Sequence, residues 1–423
     1  MLHLDTSAAM AKLLTPTYGV TNEEITQLRT TARRYVEQWL GERRGGDHAW
    51  SMDPYNRPVL TRVQETVEKF QNDRITNLLW IGIGGSALAT KVIRDVLGPS
   101  SPRTISVLDT IDPATIDHVR KRTDWPHTAL IVASKSGDTL ESMSAFFFFW
   151  GELKKALGRK AKTHVLAITD PSSGALRRFC EVQSIATIPI PPPVGGRFSA
   201  FTPVSLLPLN FLQGNTAAFL RGAKEMDTLC QQTTIEENPA LKLALIQFLL
   251  VTKRHYPLRT VMPYSQRLWS LAQWNQQLIA ESLGKNEGKN PIPLAALGSQ
   301  DQHSLLQQWL AGPRMSWHLF IQELEKPRVA VPTAVEPTFA FIAGKTFGEL
   351  LDACAEGTRR ALTDAKRAHV TLSITRLDEA HLGQLFFLFM AETVFLGKFL
   401  RIDPYGQPAV EQGKKITREI LSK

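Results

Sequence analysis

Apolar and polar positions change rhythm several times along the chain, and each change marks an element. Behind Thr21-Asn22-Glu23-Glu24, a capped helix start, Leu28, Ala32, Tyr35, Val36 and Leu40 recur at helical spacing. Residues 1–70 therefore read as a polar, helical segment. From Asn77 the pattern shortens. Apolar runs at 78–81, 105–108, 130–132, 165–168 and 185–190 alternate with helical stretches, which predicts βαβ units and a parallel sheet covered on both faces. Pro191-Pro192-Pro193 and Gly195-Gly196 then punctuate the chain. A second alternating region starts near Ala218, with strands expected at 259–262, 317–321 and 370–374. The stretch 323–344, rich in Pro, Val and Ala, predicts a long surface loop. The expected fold class is α/β, with two domains at 71–215 and 216–400, each a mainly parallel sheet flanked by helices. A C-terminal segment, 401–423, follows them.

The greasiest runs, 146–150, 243–251 and 385–391, fall short of the roughly 20 apolar residues that span a bilayer, so they read as buried helix faces. Residues 1–14 lack a basic start followed by an apolar run, so no signal peptide is expected. At 423 residues, 43% hydrophobic and 21% charged, the chain has the balance of a soluble globular protein of two or three domains. Cys180, Cys230 and Cys354 are far apart, without CxxC or paired His spacing. A disulfide framework or zinc ribbon is thus unexpected, and a reducing cytoplasm is the natural setting. The net charge of +9 suggests an anionic ligand: nucleic acid, an acidic membrane or a phosphorylated small molecule. No stretch interleaves basic and aromatic residues as a nucleic-acid surface does, and no partner membrane is expected.

Six short segments carry candidate chemistry. Gly82-Ile83-Gly84-Gly85-Ser86-Ala87 follows a strand and precedes a helix. It fits a form of the dinucleotide fingerprint, but also any anion held on free N–H groups, or simply a tight turn. Ser134-Lys135-Ser136-Gly137-Asp138-Thr139 crowds hydroxyls, an amine and a glycine into one loop before a helix. That suits a phosphate ester, unless the hydroxyls only cap the helix; it is not a Walker A loop. Val194-Gly195-Gly196-Arg197-Phe198-Ser199 places an arginine after the last strand of the first sheet, where ligands gather, although a lone arginine often pairs with a surface carboxylate. A helix starting near Trp269 ends with Gln277 and Glu281, and a late glutamate lies unfavourably with the helix dipole unless exposure or function explains it. Gly298-Ser299-Gln300-Asp301-Gln302-His303 reads as a capped helix start with His303 in the first turn, where the dipole disfavours the imidazolium. Near the end come Gln407, Glu411 and Lys414, the last equally a member of a solvated basic cluster with Lys415 and Arg418.

The order and wording of these segments, from 82 to 414, resemble the glucose-6-phosphate isomerase (phosphoglucose isomerase) family. The resemblance implies two sugar-isomerase (SIS-type) domains, a cytosolic homodimer, and no metal or other cofactor. By the same resemblance Ser134, Lys135, Ser136 and Thr139 hold the substrate phosphate, and Gly85 and Ser86 line the sugar. Glu281 is the base moving a proton between C2 and C1. His303 assists ring opening and reaches a partner's site across the dimer, Lys414 lies near the ring oxygen, and Arg197 with Gly196 faces the enediolate. Gln277 and Gln407 lie near the substrate. The sequence departs from the family at Asp138, where threonine is usual, and at Ala87 and Ala89 after the glycine turn; Asp138 is expected to face away from the phosphate. Glu287-Gly288-Lys289 competes with Glu281 as the base motif, but Ser282, Gly284 and Lys285 favour Glu281. The implied reaction interconverts glucose 6-phosphate and fructose 6-phosphate, a step of glycolysis and gluconeogenesis. Two other readings remain: an NAD-dependent dehydrogenase using the 82–87 turn, and a non-catalytic sugar-phosphate sensor.

Overall fold

Residues 2–285, 288 and 290–423 are described by a computed structural model. The N-terminal segment holds β1 (His3–Asp5), α1 (Ala11–Leu14), α2 (Asn22–Arg44) and α3 (Arg57–Asn72). A reciprocal capping box opens α2. The Glu24 N–H donates to Thr21 Oγ1 at 3.2 Å, and the Thr21 N–H donates to the Glu24 carboxylate at 2.9 Å.

The first sheet uses β2 (Asn77–Ile81), β3 (Thr104–Leu108), β4 (Thr128–Ala133), β5 (Val165–Thr169) and β6 (Ala186–Pro189). Between them run α4 (Leu88–Leu97), α5 (Pro113–Arg122), α6 (Leu140–Leu157) and α7 (Ala175–Gln183). The strands are all parallel, in the order β3-β2-β4-β5-β6. All six residues of β4 are buried, as a strand covered on both faces requires. Because β2 neighbours both β3 and β4, the chain reverses its winding between β2 and β4. The crevice beyond their carboxyl ends is where ligands of such sheets bind. The 82–87 turn leaves β2 there, and the 134–139 loop leaves β4 beside it.

Three helices, α8 (Pro203–Phe211), α9 (Thr216–Cys230) and α10 (Pro239–Lys253), lead to the second sheet. Its strands are β7 (Leu258–Pro263), β8 (Ile292–Ala295), β9 (Ser316–Glu323) and β10 (His369–Ile374). They alternate with α11 (Trp269–Leu283), α12 (Leu306–Ala311) and α13 (Phe347–Asp364), and α14 (Glu379–Leu400) and α15 (Glu411–Leu421) follow. The order is β1-β10-β9-β7-β8, parallel except for β1. Two strands were not evident from the apolar pattern. β1 is three residues of the segment expected to be helical, and β8 is a proline-broken run at the sheet edge.

Helix α14 is the centre of the molecule. Its 18-residue apolar window would satisfy a membrane-span test by length and composition, but 94% of that window is buried inside the protein. Phe386 meets Trp274 of α11 edge-on at 4.7 Å, and Phe387 packs near Trp50 and Phe201. The apolar core is continuous from β2 through α8, α9 and α14 to β9 and β10. The run 146–150 is only partly a buried face. Phe146, Phe149 and Trp150 point inward at helical spacing, while Phe147 and Phe148 are exposed.

Candidate active site

The glycine turn after β2 is shaped by what touches it. Gly84 has φ +55°, a left-handed value suited to glycine, and a Cβ there would lie 2.7 Å from Gln277 Nε2. A Cβ on Gly85 would lie 2.2 Å from the Gly196 carbonyl carbon and 2.6 Å from the Arg197 nitrogen. The two glycine loops thus meet backbone to backbone. Ser199 Oγ lies within hydrogen-bonding reach of the Gly85 oxygen at 3.2 Å and the Gly196 oxygen at 2.6 Å. The sequence motif contains this serine but gives it no role. Trp80 Nε1 donates to the Ser86 oxygen at 2.8 Å, and Gly84, Gly85 and Ser86 form a short 3-10 turn ahead of α4. That close approach of the 195–197 backbone does not favour the turn as a pyrophosphate cradle.

Arg197 is the hub. Its side chain is 4% exposed, and each of its five N–H groups is used. Nε donates to Ser282 Oγ at 2.7 Å, and Nη2 donates to the oxygens of Pro404 at 2.7 Å and Gly406 at 3.0 Å. Nη1 donates to Gln407 Oε1 and, at 3.4 Å, to the Glu281 carboxylate. Burial lowers the Arg197 pKa from its ordinary value, with the Glu281 charge opposing the shift.

Glu281 sits two residues before the end of α11, facing away from the core. Gln277, one turn earlier, donates from Nε2 to its second carboxylate oxygen at 2.7 Å. The Glu281 side chain is 29% exposed and lines a cavity of about 400 Å³ with Leu88, Trp269, Gln273 and Ala295. An unfavourable position at the negative end of a helix is thus offset by a buried arginine. Glu287 and Lys289, the competing motif, lie outside the described residues.

The 134–139 loop joins this cluster through Lys135, whose amine donates to the oxygens of Pro192 and, at 3.0 Å, Val194. Burial lowers the Lys135 pKa, and Asp170 opposes that. Ser134 Oγ accepts the Gly137 N–H at 3.1 Å; Ser136 is exposed, and Thr139 caps α6 without using its side chain. Asp138 is exposed but does not turn away from the loop: it lines one cavity with Ser136 and Lys414, and Arg418 of α15 donates to it at 2.9 Å. A hydrogen bond from Ser136, and then Arg418, hold its pKa below the ordinary carboxylate value. Lys414 pairs with Glu411 at 2.7 Å, and together with Ser136 and Asp138 it lines a cavity of about 730 Å³ under α15. It does not touch Glu281.

His303 is not in the first turn of a helix. It follows the 3-10 turn Gln300–Gln302 and stands before α12, which starts at Leu306. The polar residues close a local turn instead of capping: Asp301 accepts the Leu297 N–H at 2.7 Å and the Ser304 hydroxyl at 2.6 Å. The ring is exposed, and among the described residues no hydrogen bond reaches it. Helix α11 runs back along the sheet from the carboxyl end of β7, about 18 Å from Trp269 to Glu281. His303 leaves the carboxyl end of β8, whereas Glu281 stands at the far end of α11, so within one chain the two residues lie toward opposite ends of the strands of the second sheet. Among the described residues no group of three His, Cys, Asp or Glu is placed to hold a metal ion.

The family model of phosphoglucose isomerase matches residues 60–423. The chain belongs to the phosphoglucose isomerase family. A glucose-6-phosphate isomerase of Rubrobacter xylanophilus is 34% identical over 94% of this chain and 94% of its own length. One from Thermus thermophilus is 35% identical over 92% of this chain and 94% of its own. Among solved structures, a Thermus thermophilus protein described only as hypothetical covers all of both chains, with a TM-score of 0.90 at 33% identity. A Chlamydia trachomatis glucose-6-phosphate isomerase shares the fold, with a TM-score of 0.78 at 24% identity over 86% of this chain and 73% of that one. Membership of this family leaves the dehydrogenase and sensor readings without support.

Proposed function

We propose that this chain is an aldose–ketose isomerase that interconverts glucose 6-phosphate and fructose 6-phosphate by ring opening and proton transfer through a cis-enediolate. The observation that carries the reading is the Glu281 carboxylate at the mouth of an open cavity, aimed by Gln277 and backed by the buried guanidinium of Arg197.

Glu281 takes the proton from C2 and returns it to C1, which requires one carboxylate able to reach two adjacent carbons. Such a positioned base contributes about 10²–10⁴-fold. Arg197 supplies fixed positive charge where the enediolate forms, and the backbone of Gly85 and Gly196 shapes the floor beneath the sugar. Ser134, Ser136 and Thr139 bind the phosphate at the start of α6, where free N–H groups and the dipole favour an anion. Lys135, committed to two carbonyls, ties that loop to the 192–197 stretch and sets its distance from Arg197. Ser86 and Gln407 hold sugar hydroxyls, and Lys414 approaches the ring oxygen from α15. His303 opens the pyranose as acid and base. Its place toward the opposite end of the second sheet's strands from Glu281 supports its delivery from a second copy, in a homodimer. The scheme opens a hemiacetal and relocates protons, so it calls for neither metal nor redox cofactor. Two SIS-type domains at 71–215 and 216–400, with the C-terminal segment contributing Lys414, fit this division of roles, and the cytoplasm is the proposed location.

The test is a coupled assay from fructose 6-phosphate, with Glu281→Gln beside the wild type. We expect turnover by the wild type and a loss of at least about 10²-fold in kcat for the variant. An inert wild type ends the isomerase reading, and a fully active variant ends the assignment of the base.

A further inference from the structure

The segment 403–407 crosses between the end of α14 and α15, and its carbonyls are gripped alternately by two cations. Lys285 Nζ donates to the Asp403 oxygen at 2.7 Å and to the Tyr405 oxygen. Arg197 takes the two carbonyls between and beyond, those of Pro404 and Gly406. At Gly406 the backbone turns through φ +67°, which glycine adopts freely, and the next side chain, Gln407, accepts from Arg197 Nη1. The segment is thus a strap whose position decides both where the guanidinium points and where the Gln407 amide sits.

The far side of the strap is pinned separately. The Tyr405 hydroxyl accepts from Trp50 Nε1 at 2.9 Å and meets His48 Nδ1. His48 Nε2 faces the Glu42 carboxylate at 2.8 Å, and a carboxylate only accepts. That partner assigns the proton to Nε2, so Nδ1 accepts from Tyr405. With the tyrosine end fixed, the strap is held from the other side by Arg197 and, from the turn after α11, by the Lys285 amine.

We propose that Lys285 is a positioning residue of the isomerisation site: by holding the Asp403 and Tyr405 carbonyls it seats the strap, and through the strap it aims Arg197 Nη1 and Gln407 at Glu281. The proposal rests on the isomerase reading above. Lys285 lies four residues beyond Glu281, on the exposed turn after α11, so it is well placed to register the strap against the base. Its amine is engaged with two carbonyls rather than facing the substrate cavity. Burial and the nearby Arg197 charge lower its pKa, consistent with an amine held against the protein.

The experiment compares the full-length wild type with Lys285→Met, Lys285→Arg, Gln407→Ala and the Lys285→Met/Gln407→Ala pair, by steady-state kinetics on fructose 6-phosphate and by circular dichroism. We expect Lys285→Met to lower kcat by about 10- to 100-fold, the usual effect of a small misplacement, while KM stays within about twofold. Lys285→Arg, which can still donate to both carbonyls, recovers most of the rate. The paired variant is slower than its worse single variant by no more than about twofold, because both changes act through one strap. The proposal is overturned by a Lys285→Met enzyme with wild-type kcat, by an effect confined to KM, by losses that multiply, or by lost helical signal marking a structural role. An inactive wild type overturns the isomerase reading as well; an active wild type matched by Lys285→Met overturns this proposal alone.

Discussion

Gln277 and Glu281 face each other because they are one helical turn apart on α11, a relation visible in the linear sequence. Arg197 is different. Its side-chain partners Ser282, Glu281 and Gln407 lie 85, 84 and 210 positions away, and no spacing rule links them. The same limit hid the reach of Ser199 to Gly85, 114 positions away, and the Lys285 grip on the 403–405 carbonyls. Asp53 is another residue whose state only burial decides. Burial pushes its pKa up to about 8, and among the described residues its Oδ2 has no hydrogen-bond partner. The folded chain therefore keeps a proton that the unfolded chain releases near its ordinary 3.8, so stability declines as pH rises from about 4 to about 8. Asp53→Asn removes that dependence. We expect it to be more stable than the wild type at pH 8, by on the order of 5 kcal/mol, with the gap closing near pH 4. Urea unfolding at the two pH values measures this, and an equal gap at both contradicts it.

At the scale of elements, periodicity located most of the strands and the long helices, because each is repeated often enough to stand above chance. It failed where the repeat was too short or interrupted: β1 has three residues, and β8 is broken by Pro293. It also misread the approach to α12, since Asp301 satisfies its neighbours in a closed turn rather than opening a helix. The tightest element contact is between α9 and α14. A Cβ on Gly222 would fall 1.9 Å from the Ala380 oxygen, and one on Gly383 would fall 2.0 Å from the Phe219 oxygen. Both neighbours are backbone and cannot rotate aside. Gly383→Ala must therefore separate two helices at the centre of the core, and we expect it to lose about 3 kcal/mol. An unfolding midpoint equal to that of the wild type means the helices do not meet as described.

For the whole molecule, the site joins parts that are remote in sequence. The first sheet contributes its carboxyl edge and the second contributes the end of α11. The C-terminal segment closes the arrangement, with Arg418 on Asp138 tying α15 to the 134–139 loop. His303 is the piece that one chain leaves apart. If a second copy supplies it, Glu281→Gln and His303→Ala chains, each inactive alone, should regain about a quarter of wild-type activity when assembled together, because about half of the dimers are then mixed and each mixed dimer carries one intact site of two. No recovery would count against the shared site. Of the cations behind the +9 charge, Arg197 and Lys135 turn inward onto protein oxygens, and Lys414 stands beside the 134–139 loop.

By itself the sequence determined the alternation of strands and helices, the family wording of the loops and the pairing of Gln277 with Glu281 on α11, since these depend on neighbours within a few positions. The tertiary structure alone decided that Gly85 lies against Gly196, that Arg197 spends every donor, and that His303 is separated from Glu281. Those outcomes depend on how two sheets pack around α14 and on where each buried N–H finds an oxygen, and no local stretch of sequence contains both partners.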